Sequence, residues 1–513
     1  MVVSDLHLGR GFDPVAKRYH RLEAFFYDED FRAFCEWICA DAAARGAPLT
    51  LVLNGDIFDL IRIEPDVPPG GELETRFGPL PTPPVAARMM GDVLAGHPVF
   101  VGGIADVLAA GQEVVFIPGN HDIELQWPQV QEQVRRALAA ALEARGARGG
   151  LERLRFEPWF LHEPGRFWIE HGCQYDPENA FRFPLRTRLA GSAIVADVAE
   201  RDMPLGNFFQ RYLYNAFGSI SFLVPSSRAN YRYFRFLLAN QPRVLFHVTR
   251  SQGRFLLKLL RRLARPPARE WQRQAAAAHR AELEELARRS GLGERLYAVD
   301  ALKFRGVETA RAAMGILRQA VKLVAGSVAV AIVFLAVLTA TSHAIEALKV
   351  GFGLKALLSL LLYLSVGALA AVALVAAAVR LPRDRPPWHL RAAAERIGQL
   401  LDVPVVTFGH THEELTSSFQ RPGGRGWYFN TGTWLAVFPH DVLVPRERVQ
   451  YTFLSVRGAG ADLLQWSPGR GRPMPVVLLA DEPGPAPAPG ATPAAGPASA
   501  RGGHGKPPER RAG

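Results

Sequence analysis

Five times in this chain an apolar run stops at a short cluster of Asp, Asn and His. The clusters are Ser4-Asp5-Leu6-His7, Asn54-Gly55-Asp56, Gly119-Asn120-His121-Asp122, Glu170-His171-Gly172 and Gly409-His410-Thr411-His412. Leu49 to Leu53 and Glu113 to Ile117 are near-continuous apolar runs of strand length, and the second breaks at Pro118-Gly119. A buried strand that ends in polar groups is where an open α/β sheet builds a ligand site. One such junction says little. Five require a fold that gathers strand ends from both ends of the sequence.

The intervening segments fit that requirement. Phe31 to Ala44 reads as a helix with Phe34, Trp37, Ile38 and Ala42 on one face, and further helices are expected near Pro98 to Ala110 and over Gln126 to Ala147. Arg166 to Glu170 reads as a strand, and the Pro- and Gly-rich stretch from Ile63 to Pro84 as a surface loop. Only Met1, Val2 and Val3 are available as the first strand, which points to a start a few residues upstream. Asp5 and His7 fall where the apolar region of a secretory signal would lie. Strands alternating with helices argue for a layered α/β domain. The pattern then gives way to helical sequence from about residue 185 to 400. It resumes at Val403 to Phe408 and continues through short strands at Trp427 to Asn430, Val449 to Leu454 and Asp462 to Trp466. The expected organisation is a domain split between residues 1–184 and 381–480, a basic helical insert over 185–320, an apolar hairpin over 321–380, and a disordered Pro/Ala/Gly tail over 481–513.

Net charge is +11, and its distribution is uneven. Met203 to Arg269 carries twelve Arg or Lys and no Asp or Glu, so the basicity belongs to the insert and the rest of the chain is near neutral. The three cysteines offer neither a disulfide framework nor a zinc-thiolate site: Cys35 and Cys39 lie a helical turn apart and Cys173 stands alone. Two uncharged apolar runs, Leu323 to Ala340 and Ala356 to Val379, would span roughly 27 and 36 Å as helices, enough for a hydrocarbon core of about 30 Å. The alternative is a buried core hairpin, which seldom requires helices apolar on every face. Arg311, Arg318 and Lys322 precede the first run, and Arg380, Arg383, Arg385 and Arg391 follow the second. That bias puts both ends of the hairpin in the cytoplasm. Two crossings also leave Gly-His-Thr-His on the same side as the earlier motifs.

Aspartate, asparagine and histidine without sulfur are ligands for manganese, iron, zinc or magnesium. Asp-x-His on a loop after a strand points both side chains to one side, and a carboxylate such as Asp56 can bridge two cations. A pair of cations about 3.5–4 Å apart suits phosphoryl transfer to water. A single His of this kind is more often a hydrogen-bonded structural residue; five motifs in this order are not.

In these motifs the chain resembles the calcineurin-like metallophosphoesterases, whose order is Asp-x-His, Gly-Asp, Gly-Asn-His-(Asp/Glu), a lone His and Gly-His-x-His. The likeness covers residues 1–180 and 400–470. It implies a four-layered αββα fold and two divalent metals, manganese with iron or zinc as alternatives. One metal would be held by Asp5, His7, Asp56 and His412, the other by Asp56, Asn120, His171 and His410. His121 would then meet the substrate phosphate and protonate the leaving oxygen, with Asp122 orienting it through the other ring nitrogen. Ser-Asp-Leu-His-Leu-Gly, Gly-Asp-Ile-Phe-Asp and Gly-His-Thr-His look most like the branch containing the UDP-2,3-diacylglucosamine hydrolases. That enzyme carries Arg at the position of His121 and lacks the hairpin. Asn54 and Asn430 lie near the same rim and read as turn formers ahead of site residues.

In the insert, Gly253 to Arg265 places Phe255, Leu256, Leu259, Leu260 and Leu263 on one stripe with basic residues largely elsewhere, as in a helix lying on an anionic membrane surface. Phe208, Tyr212, Tyr231, Tyr233, Phe234 and Phe236 interleave with arginines, which also suits single-stranded nucleic acid; a merely solvated helical cap is the third reading. The expected function is a membrane-anchored hydrolase of a phosphorylated or pyrophosphate-linked substrate at the cytoplasmic face. A membrane-tethered nuclease and a non-catalytic scaffold are the alternatives.

Overall fold

A computed structural model describes residues 1–63, 71–147, 149–217, 222–224, 242–264, 269–306, 309–380, 388–439, 449–458 and 460–476. The tail expected to be disordered, Arg383 and Arg385, and Tyr231, Tyr233, Phe234 and Phe236 lie outside these residues.

The fold is mixed α/β, built on two main sheets. The seven-stranded sheet runs in the order Arg472–Pro475, Gly460–Ser467, Thr452–Arg457, Val2–Val3, Thr50–Asn54, Glu113–Ile117, Leu154–Phe156. Its last four strands are mutually parallel, with Val3 beside Leu53 and Leu53 beside Phe116, whereas the first three pair antiparallel. The five-stranded sheet runs Glu414–Arg421, Gly424–Thr431, Val405–Phe408, Phe167–Glu170, Phe160–Glu163, and its three middle strands are parallel.

Apolar side chains fall into three main clusters. One gathers Phe31, Phe34, Ile38, Met90, Val93, Ile104, Val134 and Leu138 from helices with Val3, Leu51, Leu53 and Phe116 of the larger sheet. A second unites Val52, Val115 and Ile117 of the larger sheet with Ile169, Val405 and Phe429 of the smaller one. The third sets Trp168, Val406, Phe408 and Tyr428 against Leu283, Leu286, Leu296, Ala394 and Ile397 from helices. Alternate residues of a strand point to opposite faces, so Leu53 and Val52, or Val405 and Val406, enter different clusters.

The helices follow their sequence periods. In Asp28–Arg45, Phe31, Phe34, Cys35, Ile38 and Ala42 are buried, three acidic residues occupy the first turn, and Gly46 closes the end at φ 60°. Pro128–Glu143 buries Val130, Val134, Leu138 and Leu142, every fourth residue. The stretch from Ile63 to Pro84 is not all loop: Glu72–Phe77 is helical, and Pro83 opens a helix, Pro83–Gly96, that the sequence reading missed. Proline is favourable there because the first turn needs no N–H from it.

Within the insert, Leu205–Tyr212 and Pro242–Ala264 are helices. The leucine stripe expected on a lipid surface instead packs inside the protein: Leu259, Leu260 and Leu263 are buried against Met203, Phe208 and Tyr212. Two of the helix's cations are also paired, Lys258 with Glu72 and Arg262 with the buried Glu200 at 3.1 Å. Phe208 and Tyr212, expected among stacking aromatics, belong to this same core. Thr309–Ala347 and Phe352–Arg380 form the two long apolar helices. Among the described residues one segment, Phe352–Leu369, is long and apolar enough to cross a membrane by length and composition, with mean hydropathy 1.9 and no burial in the protein. Ala331–Ala347 is a shorter apolar segment.

Candidate metal centre

All five clusters stand at the carboxyl ends of parallel strands. Asp5 and His7 follow Val2–Val3, Asp56 follows Thr50–Asn54, Asn120 follows Glu113–Ile117, His171 follows Phe167–Glu170, and His410 and His412 follow Val405–Phe408. The parallel direction within each sheet brings these ends together. Asp5, His7, Asp56, Asn120, His171, His410 and His412 are all buried, the most open of them, His412, at 5%.

The loops turn tightly to achieve this. Asp5, His7, Asp56, His410 and His412 have φ between 50° and 72°, a left-handed backbone that non-glycine residues rarely adopt. Strain of this kind persists where the surrounding structure over-determines the conformation, and here it falls on candidate ligands. The motif glycines have a related reason. A Cβ on Gly119 would strike Asp56, one on Gly55 the ring of His171, and one on Gly409 the side chains of Ser4 and Asp5.

Three groups of donors result; one is His7, Asp59 and His121, and the other two are made of expected ligands alone. Asp5, His7 and His412 each offer a ligand atom within 4.8 Å of the others, and so do Asp56, His171 and His410. In the first, His412 Nε2 lies 3.3 Å from Asp5 Oδ1 and 2.9 Å from His7 Nε2. In the second, His171 Nε2 lies 3.2 Å from Asp56 Oδ2. Asp56 joins the two, because the same Oδ2 is 3.9 Å from His7 Nε2. Asn120 sits between Gly119 and His121, whose backbone N–H donates to Asp56 Oδ1 at 2.8 Å. Asn120 Oδ1 is buried without a hydrogen-bond partner among the described residues, as expected of an atom reserved for a cation. His171 Nδ1 donates to the Asn54 carbonyl at 3.0 Å, which fixes the tautomer and leaves Nε2 as a ligand atom. Buried His and Asp groups that can bind a metal ion are therefore in place.

The electrostatics agree. Burial works to raise the Asp56 carboxyl, but His171 and His121 outweigh it and hold the group well below the usual carboxylate range. Burial lowers His171, and the facing Asp56 carboxylate overrides it, pushing the imidazole up to about 10. Without a cation, protons on His171 and His121 balance the buried Asp56 and Asp59 carboxylates, while burial keeps His7 neutral.

No protein-family model matches the chain, and no curated protein matches it. The site stands on its own geometry.

His121 differs from the ligands in keeping 14% of its side chain exposed. Its orienting partner is not Asp122. His121 Nδ1 meets Asp59 Oδ1 at 2.9 Å, and Asp59 Oδ2 also faces His7 Nδ1 at 3.4 Å. Asp122 instead accepts backbone N–H groups of Asp56, Ile57, Phe58 and Gly119 at 2.6–3.2 Å, tying the Gly-Asp loop to the Gly-Asn-His loop. The reason is positional: Asp122 points back beneath its own loop, while Asp59, three residues beyond Asp56, reaches the imidazole. Gly-Asp-Ile-Phe-Asp carried that signal. Burial disfavours the His121 cation, yet Asp59 and Asp56 push it up to about 9.

Asn54 and Asn430 are more than turn formers. Asn54 Nδ2 donates to the Glu170 carbonyl at 2.9 Å, and Asn430 Nδ2 to the Gly409 carbonyl at 2.6 Å, while Asn430 Oδ1 takes the Gly432 N–H in a local turn. Behind His410, Asp176 Oδ2 lies 3.0 Å from Nε2 and accepts Asn179 Nδ2 at 2.8 Å. Neither Asp176 nor Asn179 had a sequence signal, since both lie in an irregular stretch after His171.

Proposed function

We propose that the chain is a membrane-anchored, dinuclear metal-dependent phosphoesterase of the calcineurin-like metallophosphoesterase kind. Its substrate is a phosphorylated or pyrophosphate-linked compound, lipid- or nucleotide-linked, at the cytoplasmic membrane face. One observation carries this reading: two buried donor groups lie side by side with Asp56 Oδ2 between them, 3.2 Å from His171 Nε2 and 3.9 Å from His7 Nε2, and the more open His121 stands beside them with its Nδ1 committed to Asp59. Asp5, His7, Asp56 and His412 would hold one divalent cation, and Asp56, Asn120, His171 and His410 the other, with manganese preferred over iron or zinc. Such a pair supplies Lewis-acid polarisation of the phosphoryl oxygen and lowers the pKa of water toward neutrality. The chain's own part is to place the substrate phosphate against His121, whose Nε2 delivers a proton to the leaving oxygen while Asp59 stays ionised behind it.

The finer architecture belongs to the same proposal. Three apolar clusters, two outside the sheets and one shared by them, support a four-layered αββα arrangement. The exposed apolar side chains of Val328, Ile332, Leu335, Leu357, Leu361 and Leu364, on adjoining helices, support a hairpin that enters the bilayer. Arg318 and Lys322 are exposed before it, in keeping with a cytoplasmic end near anionic lipid headgroups.

The test is hydrolysis by detergent-purified protein with manganese, against bis-p-nitrophenyl phosphate, a nucleotide-diphospho-lipid and single-stranded DNA. Manganese-dependent turnover with the lipid preferred is expected, and His121→Ala should lower kcat by about 10²–10⁴-fold with metal still bound. No metal-dependent turnover on any of the three would sink the enzyme reading. Preference for DNA, with steep loss of binding at higher salt, would replace the lipid substrate by a nucleic acid.

A further inference from the structure

An insert helix reaches the metal centre. Asn207, in Leu205–Tyr212, is 4% exposed and forms a reciprocal pair with Asn120: Asn120 Nδ2 donates to Asn207 Oδ1 at 3.0 Å, and Asn207 Nδ2 donates to the Asn120 backbone carbonyl at 2.7 Å. A side-chain amide has a donor end and an acceptor end of nearly equal shape, and only the oxygen binds a cation. Asn207 settles which end goes where. Turning the Asn120 amide over would set its oxygen against Asn207 Oδ1, and turning Asn207 over would set donor against donor. With Nδ2 engaged, Asn120 Oδ1 is the end left without a hydrogen bond among the described residues. A buried oxygen left in that state is destabilising, and coordination to a cation would offset the loss.

The same helical turn backs a second ligand of that position. The Gly206 N–H donates to the Glu178 carbonyl at 2.9 Å, and a Cβ on Gly206 would strike the side chain of Asn179. Asn179 in turn holds Asp176, which faces His410 Nε2. Phe208 and Tyr212 anchor the helix against Leu259, Leu260 and Leu263, so its seat depends on the rest of the insert.

We propose that Asn207 is a positioning residue for Asn120, so that the insert completes the metal position of Asn120, His171 and His410. This rests on the dinuclear reading above. The helix is then part of the metal centre and not only a cover over it.

The experiment strips the full-length, detergent-solubilised protein of metal and titrates it with manganese, wild type beside Asn207→Ala and Asn207→Asp. Bound manganese per chain, the electron paramagnetic resonance signal and the Tm before and after loading are read together. Wild type should take two equivalents and give the signal of a coupled pair. Asn207→Ala should keep the first equivalent at wild-type affinity, bind the second 10–100-fold more weakly, and show mononuclear manganese at intermediate loading. Asn207→Asp, which keeps the acceptor for Asn120 Nδ2, should fall between. A variant that is merely misfolded would lower the metal-free Tm and weaken both equivalents. Should the alanine variant do so, the aspartate variant carries the comparison. Wild-type affinity for the second equivalent in both variants would overturn the role of Asn207. Fewer than two equivalents in wild type would instead overturn the dinuclear reading itself.

Discussion

The two halves of the candidate metal centre are braced by different parts of the chain. Around Asp5, His7 and His412 the supports come from strand ends and their adjoining loops. Ser4 Oγ donates to Asp5 and meets Thr431 Oγ1 at 2.6 Å, Thr433 Oγ1 donates to the Asp5 carbonyl at 2.5 Å, and Asp59 faces His7. Around Asn120, His171 and His410, Asn54, Asn430 and Asp5 come from that frame, but Asp176 and Asn179 lie in the segment after His171, and Asn207 in the insert. The first half is thus a property of the two sheets. The second also draws on the insert, through the Asn207–Asn120 pair.

Asp56 Oδ2 lies between the halves, 3.2 Å from His171 Nε2 and 3.9 Å from His7 Nε2, so its loss is the strongest way to erase the difference. In Asp56→Ala the manganese content should fall from two equivalents toward none and hydrolysis to background. His171→Ala, by contrast, should keep the first equivalent. Elemental analysis of the two purified variants checks this, and retention of both equivalents in Asp56→Ala would refute the shared ligand.

A smaller effect separates orientation from ligation. Asp59→Asn leaves every candidate ligand in place but weakens the partner of His121 Nδ1, so kcat should drop about 10–100-fold with two equivalents still bound. Asp122→Asn should act mainly on stability, because four backbone N–H groups converge on that carboxylate. Steady-state kinetics beside thermal unfolding distinguishes the two, and a larger kcat loss in Asp122→Asn would return the orienting role to Asp122.

What the sequence made legible follows the same division. The ligands of both halves announce themselves because each ends a run that can only be a buried strand, and the helix Asp28–Arg45 because its apolar residues repeat with the helical period. Asp59 was visible in Gly-Asp-Ile-Phe-Asp but had no evident task until its carboxylate was placed beside His121. Asn207 lies 87 residues from its partner within an aromatic-basic stretch, and nothing local separates it from any surface asparagine. The leucine stripe of Pro242–Ala264 was misplaced for a physical reason: amphipathic periodicity reports that one face is covered, not whether lipid or protein covers it. Short strands such as Leu154–Phe156 and Phe160–Glu163 are too brief for any period to register.

The last contrast concerns pH. The loop leaving Asp5-x-His7 is held by Glu23, which accepts the N–H groups of Gly9 at 3.1 Å and Gly11 at 2.5 Å. Glu23 faces His97 Nε2 at 3.4 Å, and Asp28 Oδ1 lies 2.9 Å from its Nδ1. Burial lowers the His97 pKa, but the hydrogen bonds and charges of Asp28 and Glu23 outweigh it and push the group up to about 9. Because the folded protein holds this proton more tightly than the unfolded chain, the stabilisation is complete below the unfolded value near 6.5. It fades as pH rises and is gone above about 9. Its size is about 3 kcal/mol. The amide pair of the second half, Asn120 and Asn207, does not titrate, but His171 of that half and His121 beside it are also raised and add to the same alkaline loss. Urea unfolding of metal-free protein should therefore lose stability between pH 6.5 and 9.5, with the Gly9 and Gly11 amides exchanging faster at the alkaline end once intrinsic exchange is divided out. His97→Gln should lessen that slope by the share of His97 and leave the part that belongs to His121 and His171. An unchanged slope in His97→Gln would mean that this histidine is not the group that loosens the first half.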